Sequence, residues 1–564
     1  MNRWLGLGLL LAALAAFALR VPQLDLRPMH NDEAVNALKI QDLWEHGHYA
    51  YDPDEYHGPT LHYATLPFLW LSPARNFSQL SEKTLRLVPV VFGVALIFLL
   101  WLLRDGLGAS ATLIAAALTA ISPAMVFYSR YFIHEMLLDC FTLLVLAAAW
   151  RYTRSRRIGW AVLGGAGLGL MFATKETFVI AVGAMGLAAL VTVFWTKREN
   201  ARVARPGVHP SPGAASREAP LPGDKLDALH SSGVAAPRDG RAPGEAQGGG
   251  CCSVPWLNPK HALTAIAAAA VVSVVLFTSF FTHPGGLVDS IRTYLPWLHR
   301  AAGHSPHVHP FYFYLERLAF YHHGRGPIWS EGLILVLAAI GVVATLTRRG
   351  DGNVALARFI ALYAIILTLA YSAISYKTPW CLLGFLQPMI MLAGLGGAAL
   401  IQFFRRRLLQ VMIGATLFVA AGHLAWLAWQ TSYVFESDRR NPYVYAQTVP
   451  DLLDLVDKVK VLAKSHPEGN QMLIQVMAPQ GEYWPLPWYL RQFKRVGWWD
   501  HVPDDVSAPV MIVGSSLCAA LEKKLNPGWS ALGLYGLRPG IVFQLYVQSD
   551  LWRRYLESLK PASP

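Results

Sequence analysis

The chain has 564 residues, of which 54% are hydrophobic and only 15% charged, and its mean hydropathy is +0.33; these values exclude an ordinary soluble multidomain enzyme and point to a polytopic membrane protein. The formal charge of +12 does not indicate nucleic acid, because Lys and Arg fall in short clusters between apolar stretches, where they act as topology signals. Cys140, Cys251, Cys252, Cys381 and Cys518 are too scattered for a disulfide scaffold or a zinc site.

Spans need ~20 mostly apolar residues. Eleven stretches predict one each: about 4–24, 85–103, 108–126, 133–150, 159–173, 178–195, 261–281, 328–347, 354–373, 381–403 and 408–430. Leu5 to Ala18 could pass for a signal peptide, but no small-residue cleavage site follows, so it reads as an uncleaved first span. With the N-terminus in the cytoplasm, Arg104, Arg151, Arg154, Arg156, Arg157, Lys197, Arg198, Arg348, Arg349 and Arg405 to Arg407 all fall on the cytoplasmic side.

The opposite face then receives the first loop (25–84), the Ser129 to Glu135 connection, Lys175 and Glu176, a His-rich loop (282–327), Tyr376 to Trp380, and the chain after Gln430. The predicted organisation is an N-terminal transmembrane module over 1–198, a disordered cytoplasmic loop over 199–259, C-terminal transmembrane helices over 260–430, and an extracytoplasmic α/β domain over 431–564. The 199–259 stretch is rich in Pro, Gly, Ala, Ser and Arg and too poor in apolar residues to fold. In the last domain QMLIQVMA and APVMIVGSS predict buried strands, while PLPWYLRQFKR and SLCAALEKKL predict amphipathic helices. The aromatic residues of GEYWPLPWYLRQF read as core or membrane interface before they read as a sugar platform.

The first loop carries the chemistry. From Asp25 to Lys83 it holds nine acidic residues against four basic ones, interspersed with histidines and aromatics. Asp32 and Glu33 stand at the predicted start of a helix over 34–44, where they could simply favour the helix dipole. A carboxylate at that place could also deprotonate an acceptor hydroxyl, or hold a metal that neutralises a phosphate. Arg130, Lys175 and Lys377 fall at span ends on the same face. Each could snorkel to the interface, or all could converge on a lipid phosphate. GHSPHVHP lacks the fixed ligand period of a helix-borne metal site and reads as a surface loop meeting the first one; for a divalent ion, Asp32, Glu33, Glu55 and His57 are better candidates.

A first span followed by an Asp-Glu pair in a large loop resembles the GT-C polytopic glycosyltransferases, specifically the protein O-mannosyltransferase and aminoarabinose-transferase group. Tyr56-His57-Gly58-Pro59-Thr60-Leu61 resembles that group's [His or Lys]-Pro-Pro-Leu-Tyr motif, with Gly58 in place of the first proline. Ser129-Arg130-Tyr131-Phe132-Ile133-His134-Glu135-Met136-Leu137-Leu138 is similar to its Ser-Arg...Asp-Pro-Leu-Leu segment, with Glu135 for aspartate. Gly169 to Lys175 resembles Gly-Leu-Ala...Thr-Lys-Gly, with Glu176 departing from the glycine. Asn31-Asp32-Glu33-Ala34, Tyr376 to Trp380 and Trp484 to Tyr489 resemble a "flippase activity-associated" subfamily of archaeal-type N-glycosylation settings.

The resemblance implies a GT-C-like helical membrane protein of about eleven spans with a small C-terminal α/β domain, transferring a sugar from a polyprenyl-phosphate-linked donor to a hydroxyl of a protein, lipid or glycan at the outer face of the cytoplasmic membrane, with inversion. Asp32 or Glu33 would be the base; His57, Arg130, Lys175 and Lys377 would bind the donor phosphate; Glu55, Tyr56, His134 and Glu135 would line the acceptor site. No cofactor is required beyond an optional divalent ion, and the expected partners are the bilayer, the lipid-linked sugar, the acceptor and other glycan-assembly proteins. One rival reading is a component that flips lipid-linked sugars without bond chemistry; it predicts polar residues within the spans and inverted repeats, of which the sequence has few and none evident. The other is a non-catalytic glycan-assembly or carbohydrate-binding protein whose outer α/β domain does the work.

Overall fold

The computed structural model describes residues 2–54, 57–203, 258–302, 307–348 and 352–559. Met1–Thr192 and Asn258–Pro564 form one compact unit; Val193–Leu257 form a second, of which only the end of one helix is described. The predicted disordered loop thus lies almost wholly outside the described residues.

The chain begins with α1 (Asn2–Arg20), and the first loop carries α2 (Asn31–Glu45) and α3 (Thr60–Leu71). There follow α4 (Glu82–Leu100), the one-turn α5 (Arg104–Leu107), α6 (Ala109–Ile121), α7 (Pro123–Ser129), α8 (Glu135–Ser155), α9 (Ile158–Phe172) and α10 (Phe178–Val203). Next come α11 (Pro259–Phe277), the short α12 (Gly286–Arg292), α13 (Tyr294–Ala302) and α14 (Phe313–Ala319), and then α15 (Gly332–Leu346), α16 (Val354–Ala373), α17 (Leu383–Phe403) and α18 (Arg407–Trp429). Apolar helices occupy all eleven predicted stretches. Among the described residues, eight are long and apolar enough to cross a membrane, and the bent pair α6 and α7 makes a ninth. The other two, α9 and α15, have 15 residues each, short of the ~20 a perpendicular crossing needs. Small residues let these short helices sit close to their neighbours: a Cβ on Gly165 of α9 would stand 2.0 Å from the Ala265 carbonyl oxygen of α11.

The stretch predicted as one span over 108–126 is instead broken by 56° between Ile121 and Pro123. Pro123 has no N–H to continue the ladder, and the groups freed at the break find partners. Arg20 donates to the Thr119 and Ala120 carbonyls at 2.9 and 2.7 Å. The buried Glu331 accepts from Ser122 Oγ at 2.6 Å, Ala124 N at 2.8 Å and Tyr443 Oη at 2.7 Å. The half-helix α7 is thereby capped inside the protein, the condition under which irregular backbone survives at membrane depth.

After Val434 the chain forms α19 (Asp451–Ser465), β1 (Ile474–Met477), α20 (Leu486–Tyr489), β2 (Val496–Trp499), β3 (Val510–Gly514), α21 (Cys518–Glu522), β4 (Trp529–Arg538), β5 (Ile541–Gln548) and α22 (Ser549–Ser558). The strands make one mixed sheet in the order β2-β1-β3-β5-β4, parallel across β2-β1-β3 and antiparallel across β3-β5-β4. Both predicted strands are present as β1 and β3. The predicted helices shrink to the one-turn α20 and the five-residue α21. This sheet region packs on the first loop: Tyr489 Oη accepts from Met29 N at 2.8 Å, Trp488 Nε1 donates to Glu82 at 2.7 Å, and Gln447 and Thr448 donate to the carbonyls of Pro28 and Met29 at 2.9 and 2.7 Å.

Candidate active site

The two adjacent acids at the start of α2 have opposite surroundings. Glu33 closes the helix start by accepting from the His30 N–H at 3.0 Å, while Asp32 N donates to His30 Nδ1 at 3.1 Å. The Glu33 carboxylate is fully buried and grips Arg86 of α4 through both oxygens at 2.7 Å, takes the Phe132 N–H at 2.9 Å, and has Arg27 at 3.6 Å. Burial pushes this carboxyl up, but the charges of Arg86 and Arg27 and the hydrogen bonds from Arg86 and His30 outweigh it, holding its pKa down to about 2. Glu33 is therefore not placed to take a proton from an acceptor or to ligate a metal: its oxygens are occupied and no surface reaches them. It fixes the loop to α4 and to the segment before α8. Asp32, one position around the helix, keeps 42% of its side chain exposed and opens onto a cavity.

The opposite wall of that cavity is joined to the first loop by main-chain bonds. Gly58 N donates to the Thr174 carbonyl and Thr60 N to the Ala173 carbonyl, each at 3.1 Å, and Thr60 Oγ1 donates to Thr174 Oγ1 at 2.7 Å. His57 and Lys175 pair as a bridge within this contact. Gly58, which departs from the motif's proline, is explained here. Proline has no N–H to give Thr174, and any Cβ would stand 2.0 Å from the Ala173 carbonyl oxygen. The contact sets His57 Nδ1 at 3.3 Å from Glu176 and leaves the Lys175 ammonium in an ion pair with Glu135. Burial lowers the Lys175 pKa, but the charge and hydrogen bond of Glu135, together with Cys381 and Glu176, more than offset it, so the ammonium stays charged. His134 is buried beside them, with Nε2 at 3.0 Å from the Gly58 carbonyl and its ring 4.9 Å from that of His57.

The cavity, of about 440 Å³, is lined by the polar residues Asp32, Lys39, Asp54, His57, His62, Lys175 and Glu176 and by the aromatic residues Trp297, Tyr314, Tyr371, Tyr376 and Trp380. It thus brings together three of the predicted residues: Asp32, His57 and Lys175. Glu135 borders a small adjoining cavity and reaches this one through Lys175. Two predicted phosphate ligands are elsewhere. Arg130 donates to the carbonyls of Arg20, Pro22 and Gln23 at 2.7 to 2.9 Å and stacks on Tyr433, so it caps the end of α1. Lys377 turns its ammonium to the His309 and Ile374 carbonyls and does not line the cavity. In sequence, a cation at a span end suits a carbonyl cap as well as a phosphate.

Glu55 and Tyr56 lie outside the described residues. Among those described, no group of three or more His, Cys, Asp or Glu side chains could hold a metal ion. The predicted set of Asp32, Glu33, Glu55 and His57 loses Glu33 to Arg86. In the His-rich loop, His307 and His309 both address the Tyr445 hydroxyl, at 2.5 and 3.1 Å. The loop does meet the first one, as predicted: Thr293 Oγ1 donates to the Pro53 carbonyl at 3.2 Å, and Trp297 reaches the cavity. Sequence reasoning passed over Arg86 and Lys39. A signal existed for the first, since an arginine within an apolar span demands a buried partner.

A family model described as dolichyl-phosphate-mannose-protein mannosyltransferase matches residues 69–210, a stretch that contains Arg86, Glu135 and Lys175 but begins after Asp32. Among solved structures, the protein ArnT from Cupriavidus metallidurans, in its apo state and bound to undecaprenyl phosphate, is similar over 96% of this chain and 98% of its own, with 14% identity and a TM-score of 0.58. The chain has the GT-C glycosyltransferase fold. An oligosaccharyltransferase from Archaeoglobus fulgidus aligns over 98% of this chain and 76% of its own, at 14% identity and a TM-score of 0.49. No curated protein matches the sequence. The GT-C fold agrees with the resemblance carried by the motifs at the level of the broad group; the narrower subfamily remains an expectation.

Proposed function

We propose that the protein transfers a sugar from a polyprenyl-phosphate-linked donor to an acceptor hydroxyl of a protein, lipid or glycan, at the outer face of the cytoplasmic membrane. The observation that carries this reading is that a partly exposed carboxylate, Asp32, and a buried, charged ammonium, Lys175, line one cavity. Asp32 takes the proton of the acceptor hydroxyl as that oxygen attacks the anomeric carbon. The bond from that carbon to the phosphate oxygen breaks on the opposite side, the phosphate leaves with the electron pair, and the configuration inverts. Lys175 meets the charge growing on the leaving phosphate, with His57 beside it. Glu135 keeps Lys175 protonated until a phosphate competes for it. The aromatic wall suits the apolar face of a sugar ring, and the undecaprenyl phosphate held by ArnT supports a lipid phosphate as the carrier. The basic clusters between the apolar helices support a cytoplasmic N-terminus, with the sheet region on the outer side.

The test is Asp32→Asn in cells that depend on the protein, with mass analysis of lipid-linked sugars and surface glycans. The expected result is accumulation of the charged lipid carrier with an under-built glycan, at normal protein levels. Unchanged glycans would overturn the assignment.

A further inference from the structure

We propose that His62 recognises a hydroxyl group of the transferred sugar; this deepens the transferase reading and rests on it. His62 sits on α3, is 1% exposed and lines the cavity that contains Asp32 and Lys175. Neither of its ring nitrogens has a hydrogen-bond partner among the described residues. Leaving two such buried atoms unmet is unfavourable, and the ring's neighbours do not relieve it. Tyr49 and His134 approach as tilted rings, with centroids at 5.1 and 5.9 Å. His134 gives its Nε2–H to the Gly58 carbonyl, which leaves its buried Nδ1 as a second unmet acceptor.

Burial holds the His62 ring neutral, with its pKa lowered to about 3, so the ring has one N–H to give and one lone pair to receive. A sugar hydroxyl, which both donates and accepts, matches that pair. The phosphodiester of a lipid-linked sugar, which only accepts, matches the ammonium of Lys175 instead. The cavity thereby offers an ammonium for the phosphate and a neutral imidazole for the sugar. Because the unmet nitrogens do not stabilise the fold, His62 is expected to be dispensable for folding and needed for recognition.

The experiment measures binding of two probes, undecaprenyl phosphate and mannosyl-phosphoryl-undecaprenol, to the full chain in lipid nanodiscs, for the wild type, His62→Phe and His62→Gln. The expected result for His62→Phe is a loss of about tenfold in affinity for the mannosyl lipid, unchanged affinity for the bare phosphate, and an unchanged or raised melting temperature. His62→Gln, which can still donate and accept, recovers most of the loss. Equal affinities of wild type and His62→Phe for the mannosyl lipid would overturn the assignment to His62 alone, as would a parallel loss for both lipids or a lowered melting temperature. A wild type that binds neither lipid would overturn the transferase reading and this inference with it.

Discussion

Replacing Glu33 by Gln keeps the shape of the side chain and removes its charge, and the cost follows from its partners. The carboxylate takes two bonds from Arg86 and one each from the His30 and Phe132 N–H groups. An amide has one acceptor oxygen for four donors, and its NH2 would be turned towards N–H groups. Arg86 is 1% exposed and would keep a buried charge with no carboxylate beside it, held by the Leu24, Arg27 and Pro28 carbonyls and the Met29 sulfur. Breaking a buried ion pair from one side costs about 3–5 kcal/mol. Asp32→Asn removes no buried pair. It gives up a helix-start charge worth about 0.3–1 kcal/mol and, if Asp32 is the base, about 10²–10⁴-fold in rate. Thermal unfolding of the purified variants in detergent, measured beside sugar transfer, separates the two. Glu33→Gln should be clearly destabilised; Asp32→Asn should melt near the wild type and be inactive. A Glu33→Gln protein as stable as the wild type but without activity would refute the division of labour between these acids.

Lys175→Met should strand Glu135 in a buried site and lower stability by about 3–5 kcal/mol, whereas the double variant Lys175→Met with Glu135→Leu should recover most of that loss and still fail to transfer, as a double-mutant melting and activity series would show. Lys377→Met should weaken the loop that its ammonium ties to His309 and Ile374, while KM for the lipid donor stays within about twofold, because the ammonium does not touch the cavity; a tenfold rise in KM would return Lys377 to the phosphate site. The Glu33 carboxyl has its pKa lowered from 4.5 to about 2 in the folded protein. Its contribution to stability is therefore complete above pH 4.5 and lost as the pH falls from there towards 2, and the Glu33→Gln protein should lack that part of the acid dependence in melting curves against pH.

The apolar helices were legible because hydropathy is a local property, readable over any twenty consecutive residues. The site was legible only in part. Asp32 and Glu33 form one acidic pair in sequence, and which of them faces the cavity depends on Arg86, 53 residues further on, and on the Phe132 N–H. Arg130 and Lys377 carry the charge a phosphate needs, yet their heads turn to main-chain carbonyls whose positions exist only in the folded chain. The β4–β5 hairpin was not foreseen, although Pro539-Gly540, where Gly540 has φ +87°, marks its turn. The break before Pro123 had its proline in plain view, but its cap, Glu331, comes from 209 residues away.

The joint between the first loop and the turn ahead of α10 has a consequence for how this chain can vary. Gly58 and Thr60 meet Ala173 and Thr174 through peptide groups, so the placement of His57 against Lys175 and Glu176 is counted in residues and cannot be adjusted by exchanging one side chain for another. A single residue added or removed between positions 57 and 60 would shift His57 along the turn and part it from Glu176. In a library of insertions and deletions, this short segment should be as intolerant as any buried helix, although it belongs to a loop.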